Sequence, residues 1–336
     1  MTEQYRAICD VVPDAIQNLP EGTTLHFEFG QWFPGEPPAR WSSNNVGYYK
    51  GILLSVHFEG REDFKRPDAP AESKEDAAHW GTCEGSAILV APGIAITAAH
   101  VVEDKISLIG AGKMGISCIG PTEGGLQLWR VHKITPLDRT DLVIMTLKYW
   151  TDLPADHRFH LPCISTRLPA IGETVMISGF QASAFAGPVK EVIDGVPVFA
   201  IEDGKSTYSA NVRAATGRVV QHHLAGRPGI VPGPTIEVDI GTDGGMSGGP
   251  VFDASGNLIG VLSTCLHHED QKGPSIVSLI VPTLGQRVDA CFGKYLSGSV
   301  RLIDLDPGLC QILGRENLTI TDGPSGETRI EIRGWD

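Results

Sequence analysis

Short apolar runs cut off by glycine, proline or clusters of charge dominate the pattern along this chain, and their lengths suit strands joined by turns. Strands are predicted at Lys50 to Phe58, Gly85 to Val90, Ile94 to Ala98, Lys105 to Ile109, Leu126 to Ile134 and Leu142 to Leu147. These fill a first barrel. A second set, at Thr174 to Gly179, Ala210 to His222, Thr235 to Ile240, Pro250 to Phe252, Leu258 to Ser263 and Ile276 to Val281, fills another. The expected class is all-β dominated: two six-stranded antiparallel β-barrels with an N-terminal extension, a C-terminal helix and a short tail. Residues 1–80 read as the extension, with an amphipathic start, a first strand near 50–58, and a charged, proline-broken loop from Arg61 to Ala78. Residues 81–165 form the N-terminal barrel, connected onward through Asp152 to Thr166. Residues 166–296 form the C-terminal barrel, closed by a helix over Thr283 to Leu296 that packs on it, and 297–336 form a tail of extra strands. Between Gln181 and Ser209 lies an inserted, hairpin-like loop containing VPVFAIEDG.

Composition narrows the picture. Of 336 residues, 41% are hydrophobic and 20% charged, an ordinary globular balance, and 40 glycines with 23 prolines suit many short strands. The net charge of −13 argues against a nucleic-acid groove. Seven cysteines, at positions 9, 83, 118, 163, 265, 291 and 310, have no tight spacing and read as buried free thiols. The N-terminus lacks a basic segment followed by an apolar core, and no run is long enough to span a bilayer, so a cytoplasmic protein without membrane contact is expected. His222-His223 and His267-His268 are poor chelators, because neighbouring strand residues point to opposite faces. No metal and no cofactor is expected.

The chemistry concentrates in three segments. TDGGMSGGPVFD sets Ser247 in a glycine turn, where the backbone N–H groups of Gly245 and Ser247 could hold an oxyanion. A serine hydroxyl needs a base and an orienting acid. GIAITAAHVV delivers His100 from an apolar run, and RTDLVIMTL opens another with Asp141. The motif also satisfies GxSxG, but an α/β-hydrolase places its acid and then its histidine after the nucleophile, and only His267 and His268 follow Ser247.

The chain order His100, Asp141, Ser247, with GSAILVAPGIAITAAHVV, TDLVIMTL, TDGGMSGGPVFD and LIGVLSTC, resembles the trypsin-like (chymotrypsin-fold) serine peptidases of bacterial type, over roughly Gly81 to Pro282. The resemblance implies chymotrypsin-like barrels and a serine endopeptidase acting on a protein or peptide substrate. His100 would be the base, Asp141 the orienting acid, Ser247 the nucleophile, and Gly245 and Ser247 the oxyanion donors. It also implies a substrate-binding wall of Gly241, Thr242, Ser263, Thr264 and Cys265, with Ser263 behind the acid. Gly241 falls where enzymes selective for Lys or Arg carry aspartate, and Leu262 where glutamyl endopeptidases carry histidine, so a neutral pocket favouring small or apolar residues is expected. Asp243 should point elsewhere. Met246 replaces the aspartate that pairs with a new N-terminal amine in pancreatic-type zymogens, so cleavage within residues 1–80 should not be needed for reactivity. The disulfides common in secreted relatives are absent around His100 and Ser247. The other class kept open is a catalytically silent peptide-binding or scaffold protein of the same fold. No residue identifies a regulatory partner.

Overall fold

The computed structural model describes residues 24–32, 51–60, 77–79, 83–122, 125–149, 159–193, 196–199, 207–268, 271–293, 295–324 and 328–335. Its strands are, in chain order, β1 (Thr24–Trp32), β2 (Leu53–Gly60), β3 (Ala77–His79), β4 (Gly85–Ala91), β5 (Ile94–Thr97), β6 (Met114–Thr122), β7 (Gly125–Pro136) and β8 (Val143–Tyr149). They continue with β9 (Ile164–Ser165), β10 (Thr174–Ile193), β11 (Val196–Phe199), β12 (Thr207–His223), β13 (Gly226–Arg227), β14 (Val231–Pro232), β15 (Thr235–Val238), β16 (Pro250–Phe252), β17 (Leu258–His268) and β18 (Gln271–Leu279). The C-terminal part adds β19 (Val288–Phe292), β20 (Leu296–Val300), β21 (Ile312–Leu313), β22 (Leu318–Asp322) and β23 (Thr328–Ile332).

Two rings of antiparallel pairings make the barrels. The first closes in the order β2-β4-β5-β8-β7-β6. In the second, β12 pairs with β15, β15 with β18, β18 with β17, β17 with β16, β16 with β10, and β10 back to β12. β1 adds outside this ring on β12, and β3 on β10. Closure explains the near-continuous apolar strands: β4 and β5 are buried at every position, since one face fills the barrel and the other meets the neighbouring barrel. Three apolar clusters result. One fills the first barrel around Leu54, Leu89, Trp129 and Met145, one fills the second around Val175, Ile236, Met246 and Val277, and one, with Ile88, Ile96, Phe180 and Phe252, bridges the two.

The structure corrects two readings of short apolar runs. Lys105 to Ile109, expected as a strand, forms a 3₁₀ turn over Glu103–Lys105 followed by the short helix α1 (Ile106–Gly110); β6 takes the expected place in the barrel. A short apolar run does not by itself distinguish helix from strand. The terminal helix expected over Thr283 to Leu296 is also absent. Pro282 enters a 3₁₀ turn over Val281–Gly285, and β19 then alternates buried and open positions with the two-residue period of a strand. Gly293, at φ 55°, carries the turn into β20. Phe292 of this hairpin packs into the first barrel, while Val288, Ala290 and Leu296 join the cluster that bridges the two barrels. Phe292 stacks on Tyr295 and stands 5.2 Å from Trp129, with Phe159 completing the aromatic cluster.

The inserted segment after Gln181 extends β10 as far as Ile193 and returns through β11, which pairs with it. The amphipathic start and the loop from Arg61 to Asp76 lie outside the described residues.

Candidate active site

Segments of both barrels converge between them. β5 ends at Thr97, Ala98 stays extended, and the 3₁₀ turn Ala99–Val101 swings His100 outward with 44% of its side chain exposed. Asp141 sits just ahead of β8 and is buried. Its carboxylate holds His100 at three points. Nδ1 lies 2.9 Å from Oδ2 and 3.2 Å from Oδ1, and the His100 backbone N–H donates to Oδ1 at 3.0 Å. A carboxylate accepts, so Nδ1 carries the proton and the neutral ring keeps Nε2 as its basic nitrogen. The hydrogen bond from the ring to Asp141 raises the His100 pKa above the ordinary histidine value, against the opposing effect of burial.

Ser247 occupies the turn that leads into β16. Gly245 has φ +84° and Gly248 φ +81°, backbone that L side chains rarely adopt. A Cβ at Gly245 would stand 2.8 Å from the Phe180 carbonyl, and one at Gly248 2.1 Å from that of Ser86. Within the turn Met246 N–H donates to Asp243 O at 3.3 Å, Gly248 N–H to Leu262 O at 2.7 Å and Gly249 N–H to Met246 O at 2.9 Å. The N–H groups of Gly245 and Ser247 have no acceptor among the described residues, which leaves them as two donors for an anionic oxygen. Met246 is fully buried in the second barrel.

The structure joins His100 to Asp141 and sets the serine turn against the end of β5. Among the described residues it does not hydrogen-bond Ser247 to His100. The Ser247 hydroxyl donates instead to the Ser263 carbonyl at 3.1 Å. The Ser263 hydroxyl lies 2.7 Å from that of Ser278 on β18. β17 shifts register between Leu262 and Thr264, and this irregularity accompanies the turn of the Ser263 side chain toward β18.

Of the remaining wall residues, Thr264 borders a cavity beside His100. Cys265 turns the other way, where its sulfur accepts the Thr242 N–H at 3.4 Å and its thiol donates to Gly273 O at 3.3 Å. Thr242 is buried against Ser275, the two hydroxyl oxygens lying 3.0 Å apart. Gly241 lies between Thr242 and Ile240, whose carbonyl accepts the Ser275 hydroxyl at 2.6 Å. Asp243 turns to Arg213 at 2.7 Å and Gln181 at 2.6 Å. The histidines of β12 serve different neighbours: His222 Nε2 meets the Pro169 carbonyl at 2.8 Å, and His223 Nε2 meets Glu237 at 3.3 Å.

One residue escapes a reading of sequence. Ser86, on β4 of the first barrel, grips the serine turn from behind. Its hydroxyl donates to the Gly245 carbonyl at 3.0 Å and accepts the Phe180 N–H at 2.8 Å. Its own N–H donates to the Ser247 carbonyl at 2.7 Å, and its carbonyl accepts the Thr97 hydroxyl at 2.7 Å. Both unpaired donors of the turn thus belong to residues whose carbonyls Ser86 holds. The signal in sequence is a single small polar residue in an apolar strand, and its partner Gly245 lies 159 positions away.

Two closed barrels with this site between them define a chymotrypsin-like architecture. The family model described as a trypsin-like peptidase domain matches residues 85–261, more than half of the chain, and the chain belongs to that family. Solved structures similar to it include the MamO protease domain from Magnetospirillum magneticum, at 15% identity and a TM-score of 0.40 over 68% of this chain and 92% of that one. The HtrA-type protease AlgW with a tripeptide matches at 15% identity and 0.40, over 69% of this chain and 57% of AlgW. The Rv3671c protease from M. tuberculosis in its active form matches at 16% and 0.41, over 72% and 81%. No curated protein matches the chain. The six described cysteines are free, so no disulfide occurs among the described residues. Among the described residues, no helix is long and apolar enough to cross a membrane.

Proposed function

We propose that this chain is a serine endopeptidase that hydrolyses peptide bonds through an acyl-enzyme on Ser247. The observation that carries the reading is the three-point hold of Asp141 on His100, which fixes the tautomer whose Nε2 can take a proton. Ser247, rotated from the Ser263 carbonyl toward that nitrogen, attacks the substrate carbonyl as His100 removes its proton. The N–H groups of Gly245 and Ser247 receive the tetrahedral oxyanion. His100 then returns the proton to the leaving amine, and water repeats the sequence to free the acid. The stretch from Ser263 to Cys265 offers backbone to which an extended substrate peptide can pair. The free thiols support the cytoplasm as the place of action.

A second reading, a catalytically silent peptide-binding protein, is favoured by one observation: the Ser247 hydroxyl is bonded to Ser263 and not to His100. A fluorophosphonate probe separates the two. Stoichiometric labelling that disappears in Ser247→Ala supports the peptidase, and unlabelled, folded protein supports the binder.

A further inference from the structure

The walls of the cleft beside His100 support an assignment of selectivity that rests on the peptidase reading. A cavity of about 710 Å³ begins at His100 and Thr264 and extends past Ile106, Leu137, Ile230 and Val231. Leu137 and Val231 are buried, whereas Ile106 is 37% and Ile230 44% exposed. One of these open isoleucines starts α1 and the other lies between β13 and β14, so separate elements expose aliphatic surface to the same concavity. Open aliphatic side chains around a cavity are the mark of a site for an apolar group.

The backbone indicates which substrate residue reaches it. The Ser263 carbonyl lies 3.1 Å from the Ser247 hydroxyl, so an extended peptide held for attack runs along Ser263 to Cys265. The ladder between β16 and β17 ends at Val261, which leaves that edge of β17 free of β16. Successive side chains of an extended chain point to opposite faces, and β17 displays both: Thr264 borders the cavity, while Cys265 faces Thr242. A substrate residue pointing toward Thr242, beside the scissile bond, is therefore preceded by one pointing into the cavity. The Thr242 side has little to offer a long side chain. Ser275 donates its only hydroxyl proton to Ile240 O, the Thr242 hydroxyl pairs with Ser275, and the Cys265 thiol is spent on Gly273.

We propose that selectivity in this cleft is set by the second residue before the scissile bond, a bulky apolar side chain seated between His100 and Ile230, while the residue at the bond itself is small. Glu103, Asp138 and Asp141 line the same cavity with one arginine, Arg139, so an acidic side chain at this position is rejected.

The test uses the Ser247→Ala protein and fluorescent peptides with Ala before the central bond and Leu, Phe, Gly or Asp before that Ala. Leu and Phe should bind at least about tenfold tighter than Gly or Asp, in line with the discrimination hydrophobic pockets reach. Adding Ile106→Ser and Ile230→Ser should reduce the difference to less than about threefold; both residues are open to solvent, and an unchanged thermal midpoint would show that the fold is kept. Affinities level within about twofold across this position, or no measurable binding by any of the peptides, would overturn the proposal. Fluorophosphonate labelling of the unaltered protein runs in parallel. No labelling with the preference intact overturns the peptidase reading and, with it, the placing of this residue relative to a scissile bond, whereas labelling with a level profile overturns the selectivity assignment alone.

Discussion

His100 answers to pH in a direction set by its partner. Because Asp141 raises its pKa above the ordinary value of about 6.5, neutral base accumulates only above that raised value. Activity should climb through an ionisation above 6.5 and fall away in acid. The stability from the same pair runs oppositely: it is fully present below the unfolded-state pKa and is lost as pH rises through the folded one. Asp141→Asn should lower turnover by roughly 10⁴ while leaving the fold intact, as pH–rate profiles and a thermal melt would show. Ser247→Ala and His100→Ala should each cost about as much as both together, since the groups act as a unit; additive losses in single-turnover assays would contradict the assignment. Ser86 acts through the turn. Ser86→Ala frees the Gly245 carbonyl and leaves the buried Phe180 N–H without its acceptor, a stability cost of roughly 1–3 kcal/mol. It should lower kcat with little change in KM, and weaken a peptide aldehyde, which forms the oxyanion, more than a ground-state peptide. Equal losses for both would make Ser86 merely structural.

Among the elements, the C-terminal hairpin of β19 and β20 joins the first barrel to the end of the chain. Phe292 fills the aromatic cluster with Trp129 and Phe159 and lies against Gly93. Phe292→Ala should cost about 3–5 kcal/mol, read as a lower denaturation midpoint and loss of first-barrel tryptophan signal. Most barrel strands were legible because burial on a strand repeats every second residue or runs unbroken where both faces are covered. The two misread elements, Lys105 to Ile109 and Thr283 to Leu296, are those whose local pattern is ambiguous. Ile106 to Gly110 is too short for a helical period to declare itself. In Val288 to Phe292, the alternation becomes meaningful only once β20 is known to pair with it and the aromatic face to have a barrel to cover.

At the scale of the whole molecule, the Ser247 turn depends on both barrels. Met246 anchors it in the second, with its sulfur accepting the Asp243 N–H at 3.5 Å, and Ser86 holds it from the first. Neither contact calls for a buried ammonium. The intact 336-residue chain should therefore label with fluorophosphonate, and intact-mass analysis should find the label on unprocessed protein; label confined to a shortened species would refute this. What the sequence by itself determined is the local geometry carried by short-range order: the glycine turn around Ser247, the corner that presents His100, Asp141 at the head of an apolar run, and most of the strands between them. Such features depend on neighbours a few positions away and are written in local pattern. Only the tertiary structure decided that Ser86 reaches Gly245, that the Ser263 hydroxyl meets Ser278, and that α1 and the β13–β14 turn wall one cavity. Those outcomes depend on which faces meet when two barrels close, and no local spacing of residues encodes them.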